Sequence, residues 1–394
     1  MLRPITRQLA LGYTWPIFLA VSALALFGAV SIRAYSPDEA NKQVAFIALS
    51  IILLLVVQGF HYQQTARYAW GVYLLSLLPV LYTIGGRFLD LPLAPPVKGQ
   101  CNWIDLGAFK IQPSELTKIS MVLLLARTLR MGVQKPSLRT LIQPFAITFL
   151  TIGLIMLQPD LGTALTLLPP LFVMLYVAGQ RARDLILVIA LAVLISPLLW
   201  FSGACKISGC TRCPHVPVLR NLPQLVNHNQ RGRVYALFSD DPRWLREEGN
   251  QQQRALEAFG AGGLMGKGAG NIPLGHRVPE AHTDMIYALI GEQFGLMGAA
   301  ATLLAYTILY CGGLSIAFAN RDPTGRLLAV GLVTLLAGQT ILNLAVAMRL
   351  MPVTGVTLPF VSYGGSSMVT SFIAVGLLVN IARNRPSFMG RRAL

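Results

Sequence analysis

The sequence predicts an all-α integral membrane protein of ten transmembrane helices, with a large extracytoplasmic loop between spans seven and eight. Three observations predict it. Of the 394 residues, 54% are hydrophobic and only 12% charged, where a soluble domain carries about 25% charged residues. Apolar runs close to the roughly 20 residues that cross a bilayer recur along the chain. The loops between them alternate between rich and poor in lysine and arginine, as the positive-inside rule requires.

The runs fall at about 14–33, 43–60, 68–87, 115–133, 140–157, 161–179, 184–202, 284–316, 325–348 and 357–382. The first, "TWPIFLAVSALALFGAV", is long for a signal peptide and no small-x-small cleavage site follows it, so it counts as a span. Ten spans put both termini on one side. With that side cytoplasmic, the inner segments hold fifteen basic residues, among them Arg67, Arg127, Arg130 and Arg321, and the short outer loops six: Arg33, Lys42, Arg87, Lys98, Lys110 and Arg349. Residues 203–283 are then the large outer loop of a single polytopic domain, residues 1–394, in which no repeat of 20–50 residues is visible.

The net charge of +16 is therefore in part a topology signal and does not indicate nucleic-acid binding. The basic residues of the large loop, including Arg231, Arg233, Arg254, Lys267 and Arg277, face a compartment where an anionic lipid headgroup or a pyrophosphate is a fitting partner. Cys205, Cys210 and Cys213, followed by His215, crowd into "CKISGCTRCPH". The spacing suits zinc, while an outside location favours a disulfide, with Cys101 available for the odd thiol. Both readings stay open.

Between spans three and four, prolines stop helix, and "NWIDLGAFKI" is predicted to lie as an amphipathic piece at the interface, with Trp103 among the headgroups. "GAGGLMGKGAGN" fails the phosphate-loop pattern because Ala261 stands where the first glycine should be and Gly268 where the hydroxyl should be. What is left is a turn, or a close approach of backbone to a ligand.

Four carboxylates, Glu115, Asp160, Asp284 and Glu292, fall in or at the end of apolar spans, where a charge costs about 2.5–3.5 kcal/mol on insertion scales. The first three sit at predicted outer helix ends and are expected to share one cavity. Glu115 and Lys118, three residues apart, can pair on one helix face; the plainer reading is a pair that only neutralises itself. Asp160 precedes a helix N-terminus, which stabilises a carboxylate; the plainer reading is a simple cap. Thr283 is the expected N-cap of the eighth span and puts Asp284 in its first turn, where helix dipole and burial pull its ionisation in opposite directions. That suits a base working near neutral pH. His282 either orients it or merely solvates the loop. Glu292, on the same face about 12 Å deeper, reads as a structural contact. Arg231 and Arg233 in "NQRGRV", with Lys118, are candidate holders of a pyrophosphate. Ser362 and Ser366 in "SYGGSS" offer hydroxyls among small residues where helices or a lipid chain can pack.

"WIDLGAFKIQPSELTK", "QPDLGTAL", "QRGRV" followed by "DDP", "GKG" with "VPEAHTDMIYALIGEQFG", and "MPVTGVTLPFVSYGGSSM" follow one another over nearly the whole chain. This succession resembles the SEDS family of shape, elongation, division and sporulation proteins, and the short termini resemble its RodA branch more than its FtsW branch. Asn102, where the family usually has Arg before the tryptophan, and Met285, where Phe is common, depart from its pattern.

The resemblance implies a peptidoglycan glycosyltransferase that polymerises lipid II at the outer face of the bacterial cytoplasmic membrane, serving elongation and cell shape. It implies Asp284 as the catalytic residue, with Glu115, Lys118 and Asp160 as cavity residues, and we add Arg231, Arg233, Lys267, His282, Ser362 and Ser366 as expected substrate contacts. It brings a class B penicillin-binding protein as partner beside lipid II and membrane lipids, and no nucleic acid. No cofactor is fixed by the sequence; a divalent cation, Mg or Mn, is the one candidate the resemblance brings. Two other readings compete: a flippase for lipid II, which needs ionisable groups along a path to the inner face, and a non-catalytic activator of the penicillin-binding protein. The inner halves of the spans are nearly free of such groups, which favours the enzyme.

Overall fold

The computed structural model describes residues 3–86, 91–95, 102–107, 109–132, 137–201, 232–235, 237 and 249–384. Cys101, Cys205, Cys210, Cys213, His215 and Arg231 lie outside the described residues. Helices α1 (Arg3–Tyr35), α2 (Pro37–Gly59), α3 (Tyr62–Arg67) and α4 (Ala69–Gly85) are followed by a two-stranded hairpin and by α5 (Pro113–Thr128), α6 (Ile142–Leu157), α7 (Leu161–Thr166), α8 (Leu168–Val177) and α9 (Ala182–Phe201). Then come α10 (Asn250–Ala261), α11 (Ile286–Ala319), α12 (Pro323–Ala347) and α13 (Gly365–Arg383). Among the described residues, six helical segments are long and apolar enough to cross a membrane: Thr14–Tyr35, Pro37–Gly59, Leu138–Leu157, Ile286–Ala319, Pro323–Ala347 and Gly365–Arg383. Helices stand at the other predicted spans too: α4, α5, α7 with α8, and α9.

Local chemistry sets the boundaries. Ser36 caps α2, with Pro37 at its first position and Asp38 and Glu39 in the first turn, where carboxylates complement the dipole. Asp322 caps α12 in the same way ahead of Pro323. The sixth predicted span breaks at Leu167 because Pro169 and Pro170 have no N–H for the turn before them. Helices α12 and α13 form the centre, with about four-fifths of their apolar windows buried, whereas α2 buries about a fifth. Around them α1 packs along α11, α2 along α13, and α5 and α8 along α12.

Three expectations change. "NWIDLGAFKI" is an antiparallel hairpin, Ile104–Asp105 paired with Lys110–Ile111; Asp105 accepts the Gly107 N–H at 2.9 Å, and Gly107, at φ 80°, turns the chain. The last helix begins at Gly365, eight residues later than the predicted 357, because residues 357–364 spend their hydrogen bonds outside the helix. The eighth predicted span is two pieces. As one straight helix its 34 residues would reach about 51 Å at 1.5 Å per residue, far beyond a bilayer core of about 30 Å. Gly295, at φ 65° and ψ −162°, breaks it, and the Gly-rich run fills the break. Leu296 N–H donates to the Gly263 carbonyl at 2.9 Å, and Lys267 and Gly268 N–H donate to the Glu292 and Gln293 carbonyls at 2.9 and 3.0 Å. Those glycines serve close approach to the protein's own backbone. A Cβ on Gly262 would meet the Gly291 carbonyl, and one on Gly266 that of Gln293.

Candidate active site

Glu115 and Lys118 lie one turn apart on α5, and α5 is buried almost throughout. Their pair is 2.8 Å long, with side chains 7% and 3% exposed. Lys118 also donates to Gln339 Oε1 at 3.3 Å, and Glu115 Oε2 accepts the Thr370 hydroxyl at 3.0 Å. A buried pair with its remaining valences filled is the arrangement that holds a charge inside a membrane.

Asp160 caps α7, accepting Thr163 N–H at 2.9 Å and the Thr163 hydroxyl at 2.8 Å. It is more than a cap, because Gln112 Nε2 reaches across from the start of α5 to its Oδ2 at 3.0 Å. Gln112 N–H in turn donates to Ser366 Oγ at 2.9 Å. The Thr370 hydroxyl, 3.0 Å from Glu115 Oε2 and 2.9 Å from the Ser366 carbonyl, links the α5 pair to Ser366. Glu115, Lys118, Asp160 and Ser366 are therefore joined through Gln112 and Thr370.

Asp284 joins them through the non-helical segment 352–364, which runs between α12 and α13. Gly355, at φ 74°, passes the Asp284 carboxylate so closely that a Cβ there would stand 3.8 Å from Oδ2. Asn343 on α12 donates to both the Asp284 carbonyl, at 2.9 Å, and the Val356 carbonyl, at 2.7 Å. One turn earlier, Gln339 donates to the Thr357 carbonyl at 3.2 Å while accepting from Lys118. Thr357 Oγ1 meets Ser367 Oγ at 2.7 Å. Arg233 donates to the Val353 carbonyl at 3.1 Å, so its guanidinium stands at the same segment. Asp284 itself is partly exposed.

The turn that carries Asp284 differs from expectation. The helix starts at Ile286 after Met285, so Thr283 is not its N-cap and Asp284 precedes the first turn. Thr283 Oγ1 instead donates to the Glu280 carbonyl at 2.9 Å. The turn is pinned from behind: Ser362 Oγ donates to the Thr283 carbonyl and accepts Leu358 N–H at 2.8 Å. The His282 carbonyl accepts Tyr363 N–H at 2.9 Å, and Gln43 donates to the Ser362 carbonyl at 3.0 Å. The His282 ring stacks on Tyr35 at 4.9 Å, with Nε2 3.2 Å from Glu39 Oε2. Ser362 and His282 thus hold the Asp284 turn. Lys267 lies on Glu292 at 2.7 Å, and Glu292 also accepts Leu274 and Gly275 N–H at 3.0 and 2.6 Å. That clamp ties the Gly-rich run to α11 and fits the structural reading of Glu292.

Gln43, Gln112, Gln339, Asn343, Gly355 and Thr370 were not singled out from the sequence. The signal for two of them was present: Gln339 and Asn343 are amides spaced i, i+4 in an otherwise apolar helix, where a polar group needs a reason. Among the described residues no group of three or more His, Cys, Asp or Glu side chains converges.

The chain matches, over residues 6–387, the model of the cell cycle proteins FtsW, RodA and SpoVE. It is 32% identical over 393 residues to a probable peptidoglycan glycosyltransferase FtsW of Geobacter metallireducens, covering 94% of each chain. It is 30% identical over 375 residues to peptidoglycan glycosyltransferase MrdB of Escherichia coli, covering 94% of this chain and 93% of that one. Its fold is similar to a chain of a solved peptidoglycan synthase complex that coordinates polymerization and crosslinking, with a TM-score of 0.75, 27% identity, and coverage of 94% and 98%. Relatives named FtsW and MrdB match to nearly the same degree, so the expected leaning toward the RodA branch is not carried. The chain belongs to the FtsW, RodA and SpoVE family of cell cycle proteins.

Proposed function

We propose that this chain is a peptidoglycan glycosyltransferase that polymerises lipid II at the outer face of the bacterial cytoplasmic membrane. In this reading it is one polytopic domain of ten spans with cytoplasmic termini, and residues 203–283 form its large extracytoplasmic loop. The observation that carries it is the placement of Asp284: partly exposed, beside a glycine at positive φ, and joined through Asn343, Gln339 and Lys118 to the buried Glu115.

The chemistry asks for little else. A polyprenyl pyrophosphate is already a good leaving group, so what the site must supply is a base for the acceptor sugar. Asp284 takes the proton of the acceptor 4-hydroxyl as that oxygen forms its bond to the anomeric carbon of the donor. The bond from that carbon to the pyrophosphate breaks with inversion, and Arg231 and Arg233 receive the departing charge. One carboxylate suffices, unlike the two-carboxylate retaining scheme. The saccharide is placed against Asp160 and Ser366, with the buried Glu115–Lys118 pair behind them. The lipid chain of the substrate stays in the bilayer.

A transpeptidase of the class B penicillin-binding type is the proposed partner. The solved complex that this fold is similar to couples polymerization to crosslinking, which supports that pairing.

The test is polymer formation from purified lipid II by the purified chain and by Asp284→Asn, with matched thermal unfolding. Loss of polymer with retained fold is the expected result; equal synthesis removes the aspartate from the mechanism. Transfer of labelled lipid II across vesicles by a chain that makes no polymer would put a transporter in its place.

A further inference from the structure

At the end of the bundle away from the carboxylates, α3, the C-terminal end of α5 and the start of α12 frame a cleft of about 220 Å³. Arg67, Arg127 and Arg130 line it with Gln63, Thr324 and Asp322. The single acid does not cancel the arginines. Asp322 Oδ2 accepts Gly325 N–H at 3.2 Å, the Tyr62 phenol at 2.9 Å and the Gln63 amide at 3.5 Å, and no ion pair joins it to an arginine among the described residues. Burial, then the hydrogen bond to Asp322, holds the Tyr62 phenol well above its usual range, so it keeps its proton and remains a donor. Arg127 gives one N–H to the Ala66 carbonyl at 3.3 Å, while Arg67 and Arg130 are exposed. Guanidinium groups around one small cleft repel each other until an anion sits among them, and the fork geometry suits phosphate oxygens.

Height identifies the source of that anion. Tyr68 and Trp70, 66% and 46% exposed, follow directly on Arg67. Exposed Tyr and Trp mark the headgroup level of a bilayer, so a phosphate at this depth is presented by a lipid. The volume is below the roughly 300–1,000 Å³ that encloses a drug-sized ligand and is too small for a saccharide. We infer that this cleft is a binding site for the phosphate of an anionic phospholipid headgroup, on the membrane face opposite the candidate active site.

The test uses the full chain in nanodiscs of phosphatidylcholine containing a minor fraction of phosphatidylglycerol, with retained phosphatidylglycerol read by native mass spectrometry. Each arginine at an anionic surface contributes about fivefold in affinity, so Arg67→Gln/Arg130→Gln is expected to lose roughly thirtyfold. Arg67→Lys/Arg130→Lys, which keeps the charge but not the fork, should recover part of it and shows that the effect is not misfolding. Equal retention by wild type and the Gln pair overturns the site. Inorganic phosphate bound as tightly as phosphatidylglycerol removes the lipid from the assignment.

Discussion

Replacing Lys118 with methionine keeps most of the side chain's length, removes its charge and strands Glu115. The ammonium lies 2.8 Å from Glu115 Oε1, with both side chains nearly sealed from solvent. Two unit charges at that separation attract by about 6 kcal/mol at an effective dielectric constant of about 20, a gross figure that omits desolvation. Removal of one partner from a buried pair costs about 3–5 kcal/mol, because the other charge stays behind without compensation. The hydrogen bond to Gln339 is lost as well, while Thr370 still donates to Glu115. The expected cost of Lys118→Met is therefore about 4 kcal/mol. In the double variant Glu115→Gln/Lys118→Met the stranded charge is gone, so it should be more stable than Lys118→Met alone. Thermal unfolding in detergent of the wild type, both single variants and the double variant closes the cycle. A coupling energy below about 0.5 kcal/mol, the scatter expected of independent sites, would refute the reasoning.

Other sites around Asp284 give sharper functional readouts. Asn343→Leu deprives the carbonyls of Asp284 and Val356 of their donor, at about 1–3 kcal/mol each where no water replaces it; lipid II polymerisation per folded molecule should fall by roughly a hundredfold, the cost of moving a catalytic group by about 1 Å. Gly355→Ala puts a methyl 3.8 Å from the Asp284 carboxylate at a φ of 74°, a conformation that costs an L-residue about 1–2 kcal/mol; an unchanged kcat would show that this glycine does not shape the site. Glu292→Gln weakens the acceptor shared by Lys267, Leu274 and Gly275 and should lower stability by about 2–3 kcal/mol, with activity per folded molecule kept; the opposite split would place Glu292 in contact with substrate.

The helices were legible because insertion into a bilayer demands long apolar runs, and such runs survive in the sequence as composition. Glu115, Lys118 and Asp160 were legible for the inverse reason: charge at that depth is costly, so each ionisable residue in a span stands out. Hydrogen-bonded amides leave a fainter trace. Gln112, Gln339 and Asn343 are uncharged, and their importance lies in partners far away in sequence, such as Lys118 for Gln339 and Asp284 for Asn343. The Asp284 turn was misread because a threonine before an acidic residue and an apolar run has the pattern of an N-cap. In the structure Thr283 is drawn to Glu280 and Ser362, and the helix begins later.

The same contrast explains why the segment 352–364 does the organising. A helix between α12 and α13 would satisfy its own carbonyls and leave nothing for neighbours. Left non-helical, it offers several of them outward: Val353 to Arg233, Val356 to Asn343, Thr357 to Gln339, Pro359 to the Tyr306 hydroxyl. Gln339 and Asn343 share α12 while Arg233 and Tyr306 stand on other elements, so the segment ties the neighbour of the α5 pair and the Asp284 turn to one helix. In the proposed reading, a carboxylate held by its own backbone suits repeated transfer to a growing chain, since the product must move while the carboxylate does not. The apolar signal that makes this region look like helix, "PVTGVTLPFV", comes from side chains packed into the bundle; the chemistry is in its backbone.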